Sequence, residues 1–79
     1  MNSVKKRLFK IISGHVGTKE QDLTLNLDFA DDLNISGFEL AELISAIEDE
    51  MEIEIDPSDA KKIKRVEDLV SLVEDLVII

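Results

Sequence analysis

The sequence predicts an all-α fold: a small irregular four-helix bundle with three longer helices and one short one. Three stretches repeat apolar residues every three or four positions, the spacing that lines one face of an α-helix. In a fourth stretch Asp56 precedes Pro57, a pairing typical of a helix start, because proline fits the first helical position. Because 79 residues suffice for one domain at most, we expect residues 1–79 to form a single domain.

The first helix is predicted over residues 3–15. Its apolar face comprises Val4, Leu8, Ile11 and Ile12. Residues 5–7 are all basic and lie in the first turns, where positive charge opposes the helix dipole. Packing therefore has to hold this helix, and Gly17 is its predicted end.

Residues 18–35 are predicted to form a long connection. Apolar and polar residues alternate there, as in a strand, with Leu23, Leu25, Leu27 and Phe29 on one side. A single strand between helices would have no partner for its backbone hydrogen bonds. We therefore expect a loop held against the helices by apolar side chains, and connections of this length are often functional.

The second helix is predicted over residues 37–50. Ser36 and Glu39 have the spacing of a capping box, in which each side chain accepts a hydrogen bond from the other residue's backbone N–H. The inward stripe that follows comprises Leu40, Leu43, Ile44, Ile47 and Met51.

The short third helix is predicted from Pro57 to about Lys62, with Asp56 as its cap. The last helix is predicted over residues 66–77. Its inward residues are Val66, Leu69, Val70, Val73, Leu76 and Val77. Residues 76–79 are apolar beyond what one stripe needs, so they either end the core or associate with a partner.

The charge is unevenly distributed along the chain. The formal net charge is −9, and residues 20–59 contain fourteen acidic residues and no Lys or Arg. Such a block disfavours nucleic acid and anionic membranes and favours partners with basic patches, although small domains are also acidic for solubility alone. With no apolar run long enough for a membrane span, we expect a soluble, cytoplasmic monomer.

The sequence offers little for catalysis or metal binding. It has no cysteine, no Gly-rich phosphate loop and a single histidine, His15, which we interpret as capping the end of the first helix. Residues 28–39 resemble a calcium loop in spacing, but Leu33 stands where the turn requires glycine. We predict no enzyme and no metal site, and weak cation binding by Asp28, Asp31 and Asp32 stays open.

Over residues 8–73 the sequence resembles the acyl carrier proteins. The resemblance rests on several short motifs in family order: Lys10-Ile11-Ile12, Gly17, Asp28-Phe29-Ala30-Asp31-Asp32-Leu33, Glu42-Leu43, Ala46-Ile47-Glu48-Asp49-Glu50, Glu54-Ile55 and Ala60-Lys61-Lys62-Ile63. It implies a carrier in fatty acid or polyketide biosynthesis, which holds acyl groups as thioesters on a 4′-phosphopantetheine arm.

The attachment position departs from the family pattern. The family carries the arm on the serine of an Asp-Ser-Leu motif at the start of the second helix, where this sequence reads Ser36, Gly37 and Phe38. Glycine cannot accept the arm. Either Ser36 is a displaced attachment residue, or it is only the helix cap and the protein is a non-covalent protein–protein interaction module. The displacement by one residue corresponds to a rotation of about 100° around a helix.

The resemblance also implies a docking surface on the second helix. Its residues are Phe38, Glu42, Ser45, Glu48 and Asp49. They would meet basic patches on acyl-processing enzymes and on a phosphopantetheinyl transferase. The alternative is an ordinary solvated helix face.

Overall fold

The computed structural model describes residues 3–77 and confirms the predicted all-α fold. Its four α-helices are α1 (Ser3–Val16), α2 (Gly37–Met51), α3 (Pro57–Ala60) and α4 (Val66–Leu76). A short 3-10 helix, Glu20–Asp22, was not predicted. In this part of the chain no helix is both long and apolar enough to cross a membrane.

The ends of the helices follow from local chemistry. At Gly17 the backbone enters the left-handed region, with φ of +75°, and its N–H donates to the carbonyl oxygen of Ser13 at 3.1 Å. This ends α1 in the manner typical of a glycine. Asp56 caps α3 by accepting a hydrogen bond from the backbone N–H of Ser58 at 2.9 Å. Hydrogen bonds from the hydroxyl and backbone N–H of Ser58 hold the pKa of Asp56 below its usual value.

The hydrophobic core lies where α1 packs against α2 and α4. Its fully buried side chains are Leu8, Ile12, Phe29, Leu43, Ile47, Val66, Leu69 and Val73. These are the periodic residues of the predicted stripes together with one residue of the connection. The prediction for Leu76 was wrong, because its side chain is 42% exposed at the end of α4. Residues 78 and 79, the rest of the predicted apolar end, lie outside the described residues.

The connection between α1 and α2 is a loop held against the core, as predicted. Leu23 and Phe29 are buried, whereas Leu25 is 37% exposed. The described residues contain no strand, but a single antiparallel bridge pairs Asp28 with Arg65. The backbone N–H of Phe29 donates to the carbonyl oxygen of Lys64 at 3.0 Å. The loop is therefore joined to the segment that leads into α4.

Candidate functional site

The residues before α2 direct the chain into the helix. Asn34 has a left-handed backbone, with φ of +55°, which asparagine tolerates better than most residues. The backbone N–H of Ile35 then donates to the carbonyl oxygen of Phe29 at 3.1 Å, and the Ile35 side chain is half-buried. This anchored turn leaves the next residue, Ser36, exposed at the helix start.

Ser36 and Glu39 form the predicted capping box. The Oγ of Ser36 accepts a hydrogen bond from the backbone N–H of Glu39 at 3.1 Å. In return, the carboxylate of Glu39 accepts one from the backbone N–H of Ser36 at 2.8 Å. The cap uses Ser36 Oγ only as an acceptor, so its O–H remains available to solvent or to a partner.

Gly37 is the first residue of α2 and is exposed. Its φ does not lie in the left-handed region, and a Cβ added to it would meet no heavy atom within 4 Å. Neither the backbone nor the packing therefore requires glycine at this position. The Cβ of a serine would therefore fit here without moving any neighbour.

An open groove of about 270 Å³ lies beside Ser36 and Gly37. Its apolar lining comes from Phe29, Ile35, Leu40 and Ile63, and its polar rim includes Asp28, Asp31 and Lys64. Ile63 and Lys64 belong to the segment between α3 and α4. Sequence reasoning did not predict Lys64 at this site, because no local pattern links it to a residue 28 positions earlier.

Asp28 organises the turn at the edge of this groove. It is buried, and its Oδ1 accepts hydrogen bonds from the backbone N–H groups of Ala30 and Asp31, both at 2.9 Å. These bonds, chiefly the one from Asp31, lower the pKa of Asp28 below its usual value of 3.8. Asp32 accepts the backbone N–H of Asp28 at 2.7 Å. Within residues 3–77 no group of acidic residues and histidine has a metal-binding arrangement.

The predicted docking residues do not all face solvent. Phe38 is 74% exposed, and Glu42, Ser45 and Asp49 are exposed at the spacing of one helix face. Glu48 differs, since it is only partly exposed and its carboxylate accepts the backbone N–H of Ile55 at 2.8 Å. Four of the five residues thus form an exposed stripe, and the fifth is committed to an internal contact.

A second groove, of about 540 Å³, separates α1 from α2 and does not include Ser36. Arg7, Lys10 and His15 line it from α1, and Asp49 and Glu50 line it from α2. Arg7 donates from Nη2 to the carbonyl oxygen of Glu50 at 3.2 Å. His15 is exposed and makes no hydrogen bond within the described part of the chain, so its predicted capping role was wrong.

Known proteins place these features in context. Residues 6–73 match the model of a family described as "Phosphopantetheine attachment site". The chain is 42% identical over 67 residues to the acyl carrier protein of Buchnera aphidicola subsp. Schizaphis graminum (strain Sg), covering 85% of each chain. Its fold matches a solved chain from Mycobacterium tuberculosis assigned to the acyl carrier proteins, with a TM-score of 0.86 and 30% identity. That match covers 92% of this chain and 97% of the other.

Proposed function

Because this chain belongs to the phosphopantetheine attachment-site family, together with acyl carrier proteins, we propose that it carries acyl groups on an arm attached to Ser36. The family indicates 4′-phosphopantetheine as the prosthetic group, and acyl carrier proteins are carriers, not enzymes. That group supplies a terminal thiol, which holds acyl groups as thioesters. The proposal covers residues 1–79 as one carrier domain serving fatty acid or polyketide biosynthesis. A cytoplasmic location and a monomeric state stay predictions.

The single observation that carries the proposal is the exposed hydroxyl of Ser36 at the mouth of the groove beside α2. Ser36 is the only serine or threonine between Thr24 and Ser45. Its O–H is not used by the capping box, and the groove beside it offers an apolar floor and one cation. Ser36 and the residues lining the groove fit a phosphate-linked arm, because a helix start with free N–H groups favours a negative charge nearby.

When the protein is bound to a phosphopantetheinyl transferase, Ser36 would act as the nucleophile that attacks coenzyme A. Its Oγ would form the new bond to phosphorus while the pyrophosphate bond of coenzyme A breaks. The hydroxyl proton would pass to a base on the transferase, and the nucleotide part of coenzyme A would leave. In this step the Ser36 side chain changes from a neutral hydroxyl to a phosphodiester, while Glu39 continues to accept the Ser36 N–H.

Docking on partner enzymes would use the exposed stripe Phe38, Glu42, Ser45 and Asp49. Phe38 offers an apolar contact of the kind that anchors interfaces, and the two carboxylates flanking Ser45 would face basic patches. No Lys or Arg occurs between residues 20 and 59, so the stripe itself carries no positive charge, and the basic residues near it in the described structure include Arg7 and Lys10, which line the groove beside Asp49. Long-range attraction to a basic partner is then expected, with strong dependence on salt.

A second candidate function is the non-covalent interaction module. Gly37 favours it, because glycine stands in the position of the family's attachment serine and has no oxygen. The capping bond on Ser36 favours it too, since capping alone accounts for a serine at this position. In that case the same stripe on α2 would bind partners without cargo.

Intact-mass measurement after incubation with coenzyme A and a broad-specificity phosphopantetheinyl transferase tests the proposal. We expect wild type to gain the mass of one phosphopantetheinyl group. Ser36→Asp should gain none, and it is the matched control because aspartate keeps the cap but offers no hydroxyl. Adding Gly37→Ser to Ser36→Asp rebuilds the family's order of residues and should load fully.

The two candidate functions give opposite results. If wild type gains no mass while the double variant loads fully, the transferase is competent and the carrier proposal is wrong. The non-covalent module then follows. If Ser36→Asp still gains mass, the attachment residue is not Ser36.

A further inference from the structure

The groove beside Ser36 has a charge pattern that the sequence does not reveal. Asp28 and Asp31 lie on its rim, within the long acidic block. Lys64 is the only positively charged residue among the described residues that line it. It reaches this rim from the segment that joins α3 to α4, because the backbone of Lys64 pairs with Phe29 across the fold.

The positive charge of Lys64 is not neutralised by a close ion pair within the fold. Its side chain is 71% exposed, and its Nζ lies 4.0 Å from Asp28 Oδ2, at the outer limit of an ion pair. The other oxygen of this carboxylate, Asp28 Oδ1, already accepts hydrogen bonds from the backbone N–H groups of Ala30 and Asp31. Those hydrogen bonds, more than Lys64, lower its pKa. Because the Lys64 end is exposed and the separation of 4.0 Å is long, this contact contributes little to stability, so Lys64 can exchange Asp28 for another anion.

We propose that Lys64 is a positioning residue for the phosphate of a pantetheine arm at Ser36. The groove would then bind the phosphate of the arm as well as its apolar part. The inference rests on the proposed function, since it needs an arm at the mouth of the groove. Without Lys64 the carboxylates of Asp28 and Asp31 would be the only charged side chains lining the groove, and they would repel a phosphate held near the start of α2. The Lys64 ammonium offers three hydrogen-bond donors to phosphate oxygens.

The experiment uses the unmodified full chain and two soluble probes, 4′-phosphopantetheine and pantetheine. NMR titration of the ¹⁵N-labelled protein follows the amides of Ala30, Gly37 and Lys64. At low salt we expect the phosphorylated probe to bind roughly three to five times more tightly than pantetheine, the scale of one exposed charge contact. Raising the salt concentration should reduce this preference.

Two matched variants assign the preference to Lys64. Lys64→Gln should bring the affinities of the two probes within about twofold of each other. Lys61→Gln removes the same charge from an exposed position outside the groove and should leave the preference intact. Circular dichroism of both variants checks that the helices are unchanged.

Equal affinity of wild type for both probes, or no binding of either, overturns the inference. An equal loss of preference in both lysine variants also overturns it, because net charge alone would then explain the effect. These outcomes are independent of loading. A protein that gains no mass with the transferase contradicts attachment at Ser36, whereas an unchanged preference in Lys64→Gln contradicts only the role of Lys64.

Discussion

The carboxylate of Glu48 accepts a hydrogen bond from the backbone N–H of Ile55, with the two atoms 2.8 Å apart. The carbonyl oxygen of Glu48 also accepts the backbone N–H of Ile53 at 3.1 Å. One residue near the end of α2 thus holds both the backbone of the following turn and the segment that leads to α3. Because Ile55 is buried, this contact also keeps a core side chain in place.

Glu48 should therefore contribute to stability more than the exposed acids of α2. Glu48→Ala leaves the partly buried N–H of Ile55 without its partner, and we expect the free energy of unfolding to fall by about 1–3 kcal/mol. Glu42→Ala, on the exposed stripe, should change it by less than about 0.5 kcal/mol. Urea unfolding followed by circular dichroism measures both. Equal effects would contradict a structural role for Glu48.

The exposed acids should instead control association with basic partners. Glu42→Gln and Asp49→Asn each remove one charge from the stripe without removing an internal contact, so we expect each to weaken transferase binding roughly threefold to fivefold at low salt. The loss should appear mainly in the association rate. Surface plasmon resonance at two salt concentrations measures it. Unchanged association rates in a variant that combines Glu42→Gln with Asp49→Asn would exclude this stripe as the docking surface.

Replacing glycine by alanine should change the stability of the fold in opposite directions at Gly17 and Gly37, the two ends of the connection between α1 and α2. Gly37→Ala is expected to stabilise the fold by about 0.5 kcal/mol, since the added Cβ meets no neighbour and the unfolded chain loses freedom. Gly17→Ala should destabilise by about 1 kcal/mol or more, because φ there is +75°. Thermal unfolding of both variants gives the comparison. A destabilised Gly37→Ala would mean that the helix start has a packing requirement absent from this structure.

Stability should decline at acidic pH partly through Asp28. Its pKa is lowered in the folded state, first by the hydrogen bond from Asp31. A carboxyl group of this kind stabilises the fold above its unfolded pKa, about 3.8, and loses that contribution as the pH falls through the lower folded value. We expect Asp28→Asn to unfold with a shallower pH dependence below about pH 4, since the amide oxygen can still accept both N–H bonds but does not ionise in this range.

Urea unfolding of wild type and Asp28→Asn at several pH values between about 2.5 and 6 tests this prediction. The two curves of unfolding free energy against pH should have the same slope at about pH 6 and different slopes below about pH 4, where the wild-type curve should be steeper. Parallel curves throughout would show that Asp28 is not among the groups responsible for acid destabilisation.

Local features of the sequence were sufficient to predict the four α-helices of the described residues. Periodic apolar residues identified three of them, and the pairs Ser36 with Glu39 and Asp56 with Pro57 identified two helix starts. Such signals act within one or two turns of a helix, so they can be read from the amino-acid sequence alone. The 3-10 helix Glu20–Asp22 was missed because three residues give no periodicity.

Contacts between distant segments were decided only by the tertiary structure. The sequence predicted Ser36 at the start of α2, but the groove beside it exists because Phe29 pairs with Lys64 and brings that lysine to the rim. Likewise, Glu48 was expected to face a partner, whereas folding turns its carboxylate toward Ile55. Both outcomes depend on how elements pack after they form, and helical periodicity is the same whether an acidic residue meets solvent or a backbone N–H from the next segment.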